Sequence, residues 1–346
     1  MDRIYKIGSF NLNNIGPKAR NKGREFNIIA DIIRKEEFDI VALQEVLSEG
    51  KAFIENDSTS SFTKSGIISY LGGSEKWGFE WASSGDDSNR HEGYAFLWNK
   101  KRLRLSSARV IKGGVEFDRI FNPRMLKINR KDMKRQPFYA RFTPQGMPGG
   151  SSFEIRIICV HTYYGKDSNI DREIRQNELD ILFDEVYPQI SERVYGNGFP
   201  NYTILLGDYN AELLTKYSIK ESERINRNLS WKPATIRTDN EGIVYSNKYD
   251  VSVKTFQEQL TTLKTKKVLD SEEFDGGGYA SNYDHFSYDE SRVGEVIGEE
   301  AQRIDAVSNY CDGDFLKYLN TVSDHVPIVL ELNINKNQLD VRGLEE

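Results

Sequence analysis

A layered α/β sandwich, two sheets with helices outside them, is the fold class that the order of apolar segments predicts. Strand-length apolar runs dominate the chain, and several of them end in polar residues. Segments with helical spacing lie between such runs, so strand–helix–strand occurs in both halves. The repetition suggests an internally duplicated sandwich forming one domain over residues 1–335, with a disordered tail at 336–346.

Residues 4–12 read as a buried strand, and 24–35 as a helix with Phe26, Ile29, Ile32 and Ile33 on one face. Residues 38–43 form a second apolar strand that ends at Gln44-Glu45. The polar stretch 47–76 admits a helix at 66–71. Residues 79–82 and 93–98 read as paired strands around the turn cluster Gly85-Asp86-Asp87-Ser88. Residues 103–111 and 138–143 are further strands, and the Gly/Pro-rich stretch 144–152 reads as a hairpin turn before a strand at 153–160. Residues 170–187 are strongly amphipathic, with Ile174, Leu179, Leu182, Phe183 and Val186 on one face, and Pro188 ends or kinks that helix. A strand at 202–206 runs into Gly207-Asp208. The polar stretch 213–275 holds one candidate helix at 254–263, and the last strands fall at 283–288 and 326–332.

Hydrophobic residues make up 38% of the chain and charged ones 29%, which describes a water-soluble globular protein. No apolar run is long enough to span a bilayer. Met1-Asp2-Arg3-Ile4-Tyr5-Lys6 leads straight into a strand and lacks a secretory pattern, which gives a cytoplasmic location as the expectation. Cys159 lies in an apolar run and Cys311 in a polar loop, so two reduced thiols are expected rather than a disulfide or zinc site. The net charge of −6 does not advertise a nucleic-acid binder, although metal sites concentrate acids of their own. The basic stretch 124–135 reads equally as a binding patch and as a solvated face.

Five polar clusters at or beside the ends of apolar runs carry the chemistry. They are Ser9-Phe10-Asn11, Leu43-Gln44-Glu45, His161-Thr162, Gly207-Asp208-Tyr209-Asn210 and Ser323-Asp324-His325. Each alone is a commonplace turn or strand end; the ordered set supplies what phosphodiester hydrolysis requires. A divalent cation must neutralise phosphoryl oxygens, a water must lose a proton, and the leaving oxygen needs charge stabilisation or a proton. Mg2+ or Mn2+ is the expected cofactor, because such ions take hard oxygen ligands and few carboxylates. Glu45 and Asn11 fit that role, and Asp208, Asn210 and Asp324 fit a second ion or the orientation of water. His161 and His325 titrate near neutrality and suit acid and base roles, while Glu92 and Asp284 are spare acids positioned to fix their tautomers. His91 and His285 read as surface or loop histidines.

With those positions the chain resembles the endonuclease/exonuclease/phosphatase superfamily, the DNase I-like fold. The matching residues are Asn11, Glu45 in Leu-Gln-Glu-Val, Glu92, His161 in Val-His-Thr, Asp208 and Asn210 in Gly-Asp-Tyr-Asn, Asp284, and Asp324-His325 in Ser-Asp-His-Val-Pro. The resemblance covers residues 4–332 and implies a four-layered α/β/β/α sandwich of two mixed sheets flanked by helices, with the site at one edge. It further implies that Glu92 pairs with His161 and Asp284 with His325, and that Asn11, Asn210 and Arg135 hold the scissile phosphate. There are departures. Ala211-Glu212-Leu213 replaces the disulfide that follows the motif in secreted DNase I, and Leu47 replaces the arginine that enters a DNA minor groove. Ser281-Asn282-Tyr283-Asp284-His285 stands where the inositol phosphatase signature would. Residues 161–175 and 303–325 look most like uncharacterised intracellular bacterial members.

The expectation is a metal-dependent endonuclease acting on DNA. Water activated by the metal or by His325 attacks phosphorus in line, and His161 protonates the leaving oxygen, with the two histidine roles exchangeable. The alternatives are a phosphatase or phosphodiesterase for a phospholipid headgroup, inositol phosphate or nucleotide, and a catalytically silent scaffold of the same fold.

Overall fold

The computed structural model describes residues 3–15, 24–47, 66–85, 92–106, 110–112, 115–117, 122–128, 133–146, 153–166, 168–195, 199–211, 235–239, 242–246, 251–254, 260–272, 274, 276–298 and 301–334. The expected tail at 336–346, His91 and much of 213–275 lie outside them.

Strands are numbered in chain order. One sheet has six: β1 (Arg3–Ile15), β2 (Ile40–Leu47), β3 (Trp77–Ser83), β4 (Glu92–Asn99), β16 (Gln302–Arg303) and β17 (Ile328–Ile334), in the order β16-β17-β1-β2-β4-β3. The second has nine: β5 (Leu103–Leu105), β8 (Arg124–Met125), β9 (Phe138–Pro144), β10 (Glu154–His161), β11 (Asn201–Asp208), β12 (Thr235–Asp239), β13 (Gly242–Ser246), β14 (Val251–Lys254) and β15 (Asp284–Asp289). Its order is β12-β13-β14-β15-β11-β10-β9-β5, with β8 on β9. A separate ribbon pairs β6 (Val110–Lys112) with β7 (Val115–Phe117). Both sheets are mixed. The parallel pairs are β1/β2 and β10/β11, each joined through a helix, and the other pairings are antiparallel. The expected duplication is thus present at the level of one strand–helix–strand unit per sheet.

Strand alternation divides the core into three layers of packing. Tyr5, Ile7, Ile40, Phe96, Ile157, Ile204, Leu206 and Phe286 fill the space between the sheets. Phe10, Val41, Leu43 and Leu97 face the other way, against Ile29 and Ile33 of the helix Phe26–Lys35. Ile158, Val160 and Leu205 on the second sheet meet Leu179, Leu182 and Phe183 of the long helix. The four-layered α/β/β/α sandwich expected from the sequence is the fold observed. No helix among the described residues is long and apolar enough to cross a membrane.

The structure corrects several expected elements. The expected helix at 170–187 is Asn169–Ile181, a π turn at Leu182–Val186, then Tyr187–Ser191. Pro188 has no N–H to offer the preceding turn, and the ladder widens before it, with Tyr187 N–H donating to the Leu182 carbonyl. The expected helix at 254–263 is absent where described: Val251–Lys254 is β14, and Thr262 and Leu263 form bridges to His325 and Tyr279. The Thr261 hydroxyl accepts from the N–H groups of Tyr283 and Asp284, which ties this segment to the start of β15. The expected strand 103–111 is β5 and β6. Two short helices, Ala306–Cys311 and Phe315–Thr321, complete the outer layer of the first sheet, capped by the side chains of Asp305 and Asp314. His285 is no surface residue: it lies fully buried on β15, its ring 5.1 Å from that of Tyr209 and its Nε2 2.8 Å from the Ala211 carbonyl. Cys159 and Cys311 are both free, as expected, but Cys311 lies buried at the end of the helix Ala306–Cys311 rather than in a polar loop.

Gly207 sets how closely β11 approaches β10. Its φ is +142°, and a Cβ there would lie 2.0 Å from the Val160 carbonyl oxygen. Gly207→Ala is expected to lower the thermal unfolding midpoint by more than 10 °C or to prevent folding, as strain and clash together exceed about 3 kcal/mol. An unchanged midpoint would contradict this packing.

Burial holds His285 neutral, with its pKa lowered from 6.5 to about 4. The unfolded chain therefore takes up a proton below pH 6.5 that the folded chain refuses until about pH 4. Stability falls by up to about 3 kcal/mol across that window as pH drops. His285→Gln, which keeps a donor for Ala211, is expected to flatten the pH dependence of urea midpoints there by one proton; equal slopes would refute the assignment.

Candidate active site

The inward-facing residues of the two sheets are apolar along most of their length and polar at one end. On β1 the inward series Tyr5, Ile7 continues as Ser9 and Asn11; on β10 Ile155, Ile157, Cys159 ends in His161; on β11 Tyr202, Ile204, Leu206 ends in Asp208. β4 and β15 run the opposite way, so their first residues, Glu92 and Asp284, reach the same edge. Register fixes the neighbours: His161 pairs with Asp208, Asp208 with Asp284, and Asn11 with Gln44.

Glu45 reaches this edge through an irregularity. Leu43 and Val46 pair with Ala95 and Gly93, so β2 carries one extra residue at Gln44-Glu45, a β-bulge. Glu45 has φ +55°, and the facing Asn13 and Asn14 of β1 have φ +47° and +57°. Positive φ is costly for Glu and tolerated by Asn. The bulge turns the Glu45 carboxylate inward, where Asn11 Nδ2 donates to it at 3.0 Å and to Asp208 Oδ2 at 3.0 Å. The Asn14 amide also donates to Glu45. Asn14 was not among the residues expected here; the Asn13-Asn14 doublet, suited to left-handed turns, was its one signal.

Two carboxylate–imidazole pairs frame these acids. His161 Nδ1 is 2.5 Å from Glu92 Oε1, and its Nε2 is 3.6 Å from Asp208 Oδ2. His325 Nδ1 is 2.8 Å from Asp284 Oδ2, and its Nε2 is 3.7 Å from the same Asp208 oxygen. Both expected pairings are in place geometrically. The carboxylates fix Nδ1–H tautomers and leave both Nε2 atoms facing Asp208. The Asn210 N–H donates to Asp208 Oδ1 at 2.8 Å and its amide to the Thr162 carbonyl at 2.8 Å. Ser323 ties the Ser-Asp-His turn to β1 by donating to the Asn11 carbonyl at 2.7 Å.

Two expected roles meet a different geometry. The guanidinium of Arg135 is turned to Glu92 and the Thr162 carbonyl, each at 3.0 Å, so it braces an acid of the site. Asp324 stands outside both groups of clustered ligand atoms among the described residues; it acts on His325, Glu45 and Arg24 through its charge.

Several solved structures share this architecture. An endonuclease/exonuclease/phosphatase from Bacteroides vulgatus matches at TM-score 0.52 and 12% identity over 96% of this chain and 100% of that one. ANGEL2, a 2',3'-cyclic phosphatase in complex with adenosine-2',3'-vanadate, matches at TM-score 0.52 and 14% identity over 96% of both chains. The chain has the endonuclease/exonuclease/phosphatase fold. A family protein from Bacteroides thetaiotaomicron matches at TM-score 0.50 and 13% identity, covering 97% of this chain and 99% of that one. Neither a protein-family model nor a curated protein sequence matches the chain.

Charge crowding dominates the electrostatics of the edge. Burial pushes Glu45 up, and the nearby Glu92 and Asp324 add to that against the pull of His161. Burial works to raise Glu92 too, but His161 and Arg135 outweigh it and hold that carboxyl at about 2. Burial works to lower both histidines. Glu92 and Asp208 overcome it at His161, and Asp284 and Asp208 lift His325 well above the usual imidazole range.

The donor chemistry fits a small, hard divalent cation. Ligand atoms of Glu45, His161 and Asp208 lie within 4.8 Å of one another, as do those of Asp208, Asp284 and His325. Asp284 Oδ1 and Asp324 Oδ1 are buried oxygens without a hydrogen-bond donor among the described residues. Of the amides, Asn11 presents its nitrogen to the carboxylates and gives its oxygen to the Asn13 N–H at 2.9 Å, so ligation by that oxygen requires the amide to turn.

Because the surrounding carboxylates raise both imidazoles from their usual range, cation binding is expected to displace protons and to tighten as pH rises from 6 to 8. Calorimetric titration of Mn2+ at pH 7 in two buffers of different ionisation enthalpy measures the release. A binding enthalpy independent of buffer would contradict these raised values.

Proposed function

We propose that this chain is a divalent-metal-dependent phosphodiester hydrolase acting on nucleic acid, as an endonuclease that cleaves or nicks DNA. The observation that carries the chemistry is the convergence of His161 Nε2 and His325 Nε2 on one Asp208 oxygen, at 3.6 Å and 3.7 Å. In-line displacement at phosphorus needs a proton acceptor on the attacking side and a donor on the leaving side. Two imidazoles with their Nδ1 atoms fixed by carboxylates supply both. His325 takes the proton of the attacking water at Nε2, and His161 delivers one to the leaving oxygen; the opposite assignment uses the same geometry. Glu92 and Asp284 stabilise whichever imidazole is charged. Glu45 and Asp208, with Asn210 and Asn11 around them, would hold Mg2+ or Mn2+. When bound, the cation supplies charge neutralisation at the phosphoryl oxygens.

A small phosphoester is the second reading. It draws support from the net charge of −6, from Leu47 where DNase I places a groove-reading arginine, and from the engagement of Arg135 with Glu92. ANGEL2, of the same fold, is a 2',3'-cyclic phosphatase.

His325→Ala, His161→Ala and Asp208→Ala are each expected to reduce metal-dependent cleavage of supercoiled plasmid by about 10²- to 10⁴-fold while leaving the far-UV circular dichroism unchanged. Plasmid nicked by His325→Ala as fast as by the parent would sink the mechanism. Release of phosphate from nucleotides or cyclic phosphates, with plasmid untouched, would move the substrate to the second reading.

A further inference from the structure

Glu178 lies on the inner face of the helix Asn169–Ile181, fully buried, and no pairing in the five polar clusters involves it. Its Oε1 accepts from the Lys134 N–H at 2.7 Å and its Oε2 from the Tyr163 N–H at 2.6 Å. Those two amides flank the site. Lys134 precedes Arg135, and Tyr163 follows Thr162, whose carbonyl accepts from Arg135 at 3.0 Å. The carboxylate therefore closes a ring: Glu178, Lys134 N–H, the Arg135 side chain, the Thr162 carbonyl, Tyr163 N–H and back to Glu178. Arg135 then donates to Glu92 at 3.0 Å, and Glu92 holds His161 Nδ1 at 2.5 Å.

We propose that Glu178 is a positioning residue for the reaction: its carboxylate sets the Arg135 guanidinium, and through Arg135 and Glu92 it aims the His161 imidazole at Asp208. A carboxylate suits this place because both oxygens accept and neither donates, whereas an amide of the same shape presents an N–H to one backbone N–H. A helix residue is a rigid support, so the two segments it ties inherit the orientation of the helix rather than that of their own loops. The inference rests on reading the His161 edge as the reacting centre.

The test is made on the full chain labelled with 15N at its 4 histidines, at fixed pH and without metal, with His161→Gln used to assign the His161 Nδ1–H signal. Glu178→Gln is expected to shift or broaden that signal and to leave the His325 Nδ1–H signal in place. With Mn2+ and bis(p-nitrophenyl) phosphate, kcat is expected to fall tenfold or more with KM within twofold. On an Arg135→Gln background, adding Glu178→Gln is expected to cost no further kcat, because both act through one chain of contacts. Glu178→Asp, whose shorter arm reaches one amide rather than two, gives the same imidazole reading if the Gln variant does not fold. An unmoved His161 signal in a folded variant, with kcat within twofold of the parent and only the unfolding midpoint lowered, would overturn the proposal and leave Glu178 a loop staple. The imidazole signal does not depend on turnover. A parent that cleaves no phosphodiester would therefore count against the hydrolase reading alone, while the signal still decides the positioning role.

Discussion

Asp208 Oδ2 is the point on which the rest of the edge depends. It lies 3.0 Å from the Asn11 amide and within 4 Å of the Nε2 atoms of both imidazoles, groups drawn from both sheets. That convergence follows from backbone spacing before any side chain is considered. Gly207 allows β11 to meet β10 where a Cβ would collide with the Val160 carbonyl, and the next residue is Asp208, in register with His161 on one side and Asp284 on the other. A wider spacing at Gly207 would separate the two carboxylate–imidazole pairs from the acid they share.

Such an edge is expensive for a protein to bury. Charged groups withdrawn from water cost several kcal/mol each unless well paired, and removing one partner leaves the other stranded. Here the pairing is uneven. Glu92 has both His161 and Arg135 at hydrogen-bond distance, while Glu45 has amide donors there and His161 Nε2 only at 3.9 Å, and its carboxyl stays elevated. The positive φ of Glu45 adds strain at the same place. A divalent cation among Glu45, Asp208 and Asp284 would neutralise the excess negative charge and satisfy buried oxygens that have no donor among the described residues, and its binding would add to the stability of the fold.

The strand-end residues were legible because they close apolar runs: Asn11, His161 and Asp208 stand at or beside such ends, and Glu92 and Asp284 joined them as spare acids in the same positions, paired with the histidines through the family resemblance. That reading rests on regular strands. What escaped it depends on departures from regular geometry. The extra residue at Gln44-Glu45, the π turn before Pro188 and the bridges at Thr262 and Leu263 leave no periodic trace. His285 was misjudged for a related reason. Its polar character suggested surface, but its position one residue past Asp284 places it on the helix-facing side, beside Tyr209. The helices at Ala306–Cys311 and Phe315–Thr321 are too short for a visible stripe, although Asp305 and Asp314 mark their starts.

The strand β10 links the site to the rest of the molecule in a way that bears on its rigidity. At its far end Glu154 is clamped between Arg141 and Arg156, each at 3.1 Å, all three buried. Arg156 continues to the carbonyls of Ile190 and Arg193 at 2.8 Å, where the helix that began at Asn169 runs out. At the near end the same helix reaches the site through Glu178. Strand and helix are therefore pinned to one another at both ends by buried ionic hydrogen bonds, which resist rotation of either about the other. His161, the last residue of β10, is held by its strand as well as by Glu92. His325 precedes β17 on a turn tied down by Ser323. His325 is held comparably, by Asp284 at its Nδ1, by the Tyr318 hydroxyl donating to its carbonyl at 3.0 Å and by the bridge to Thr262, so both imidazoles enter the site on firmly tied backbone.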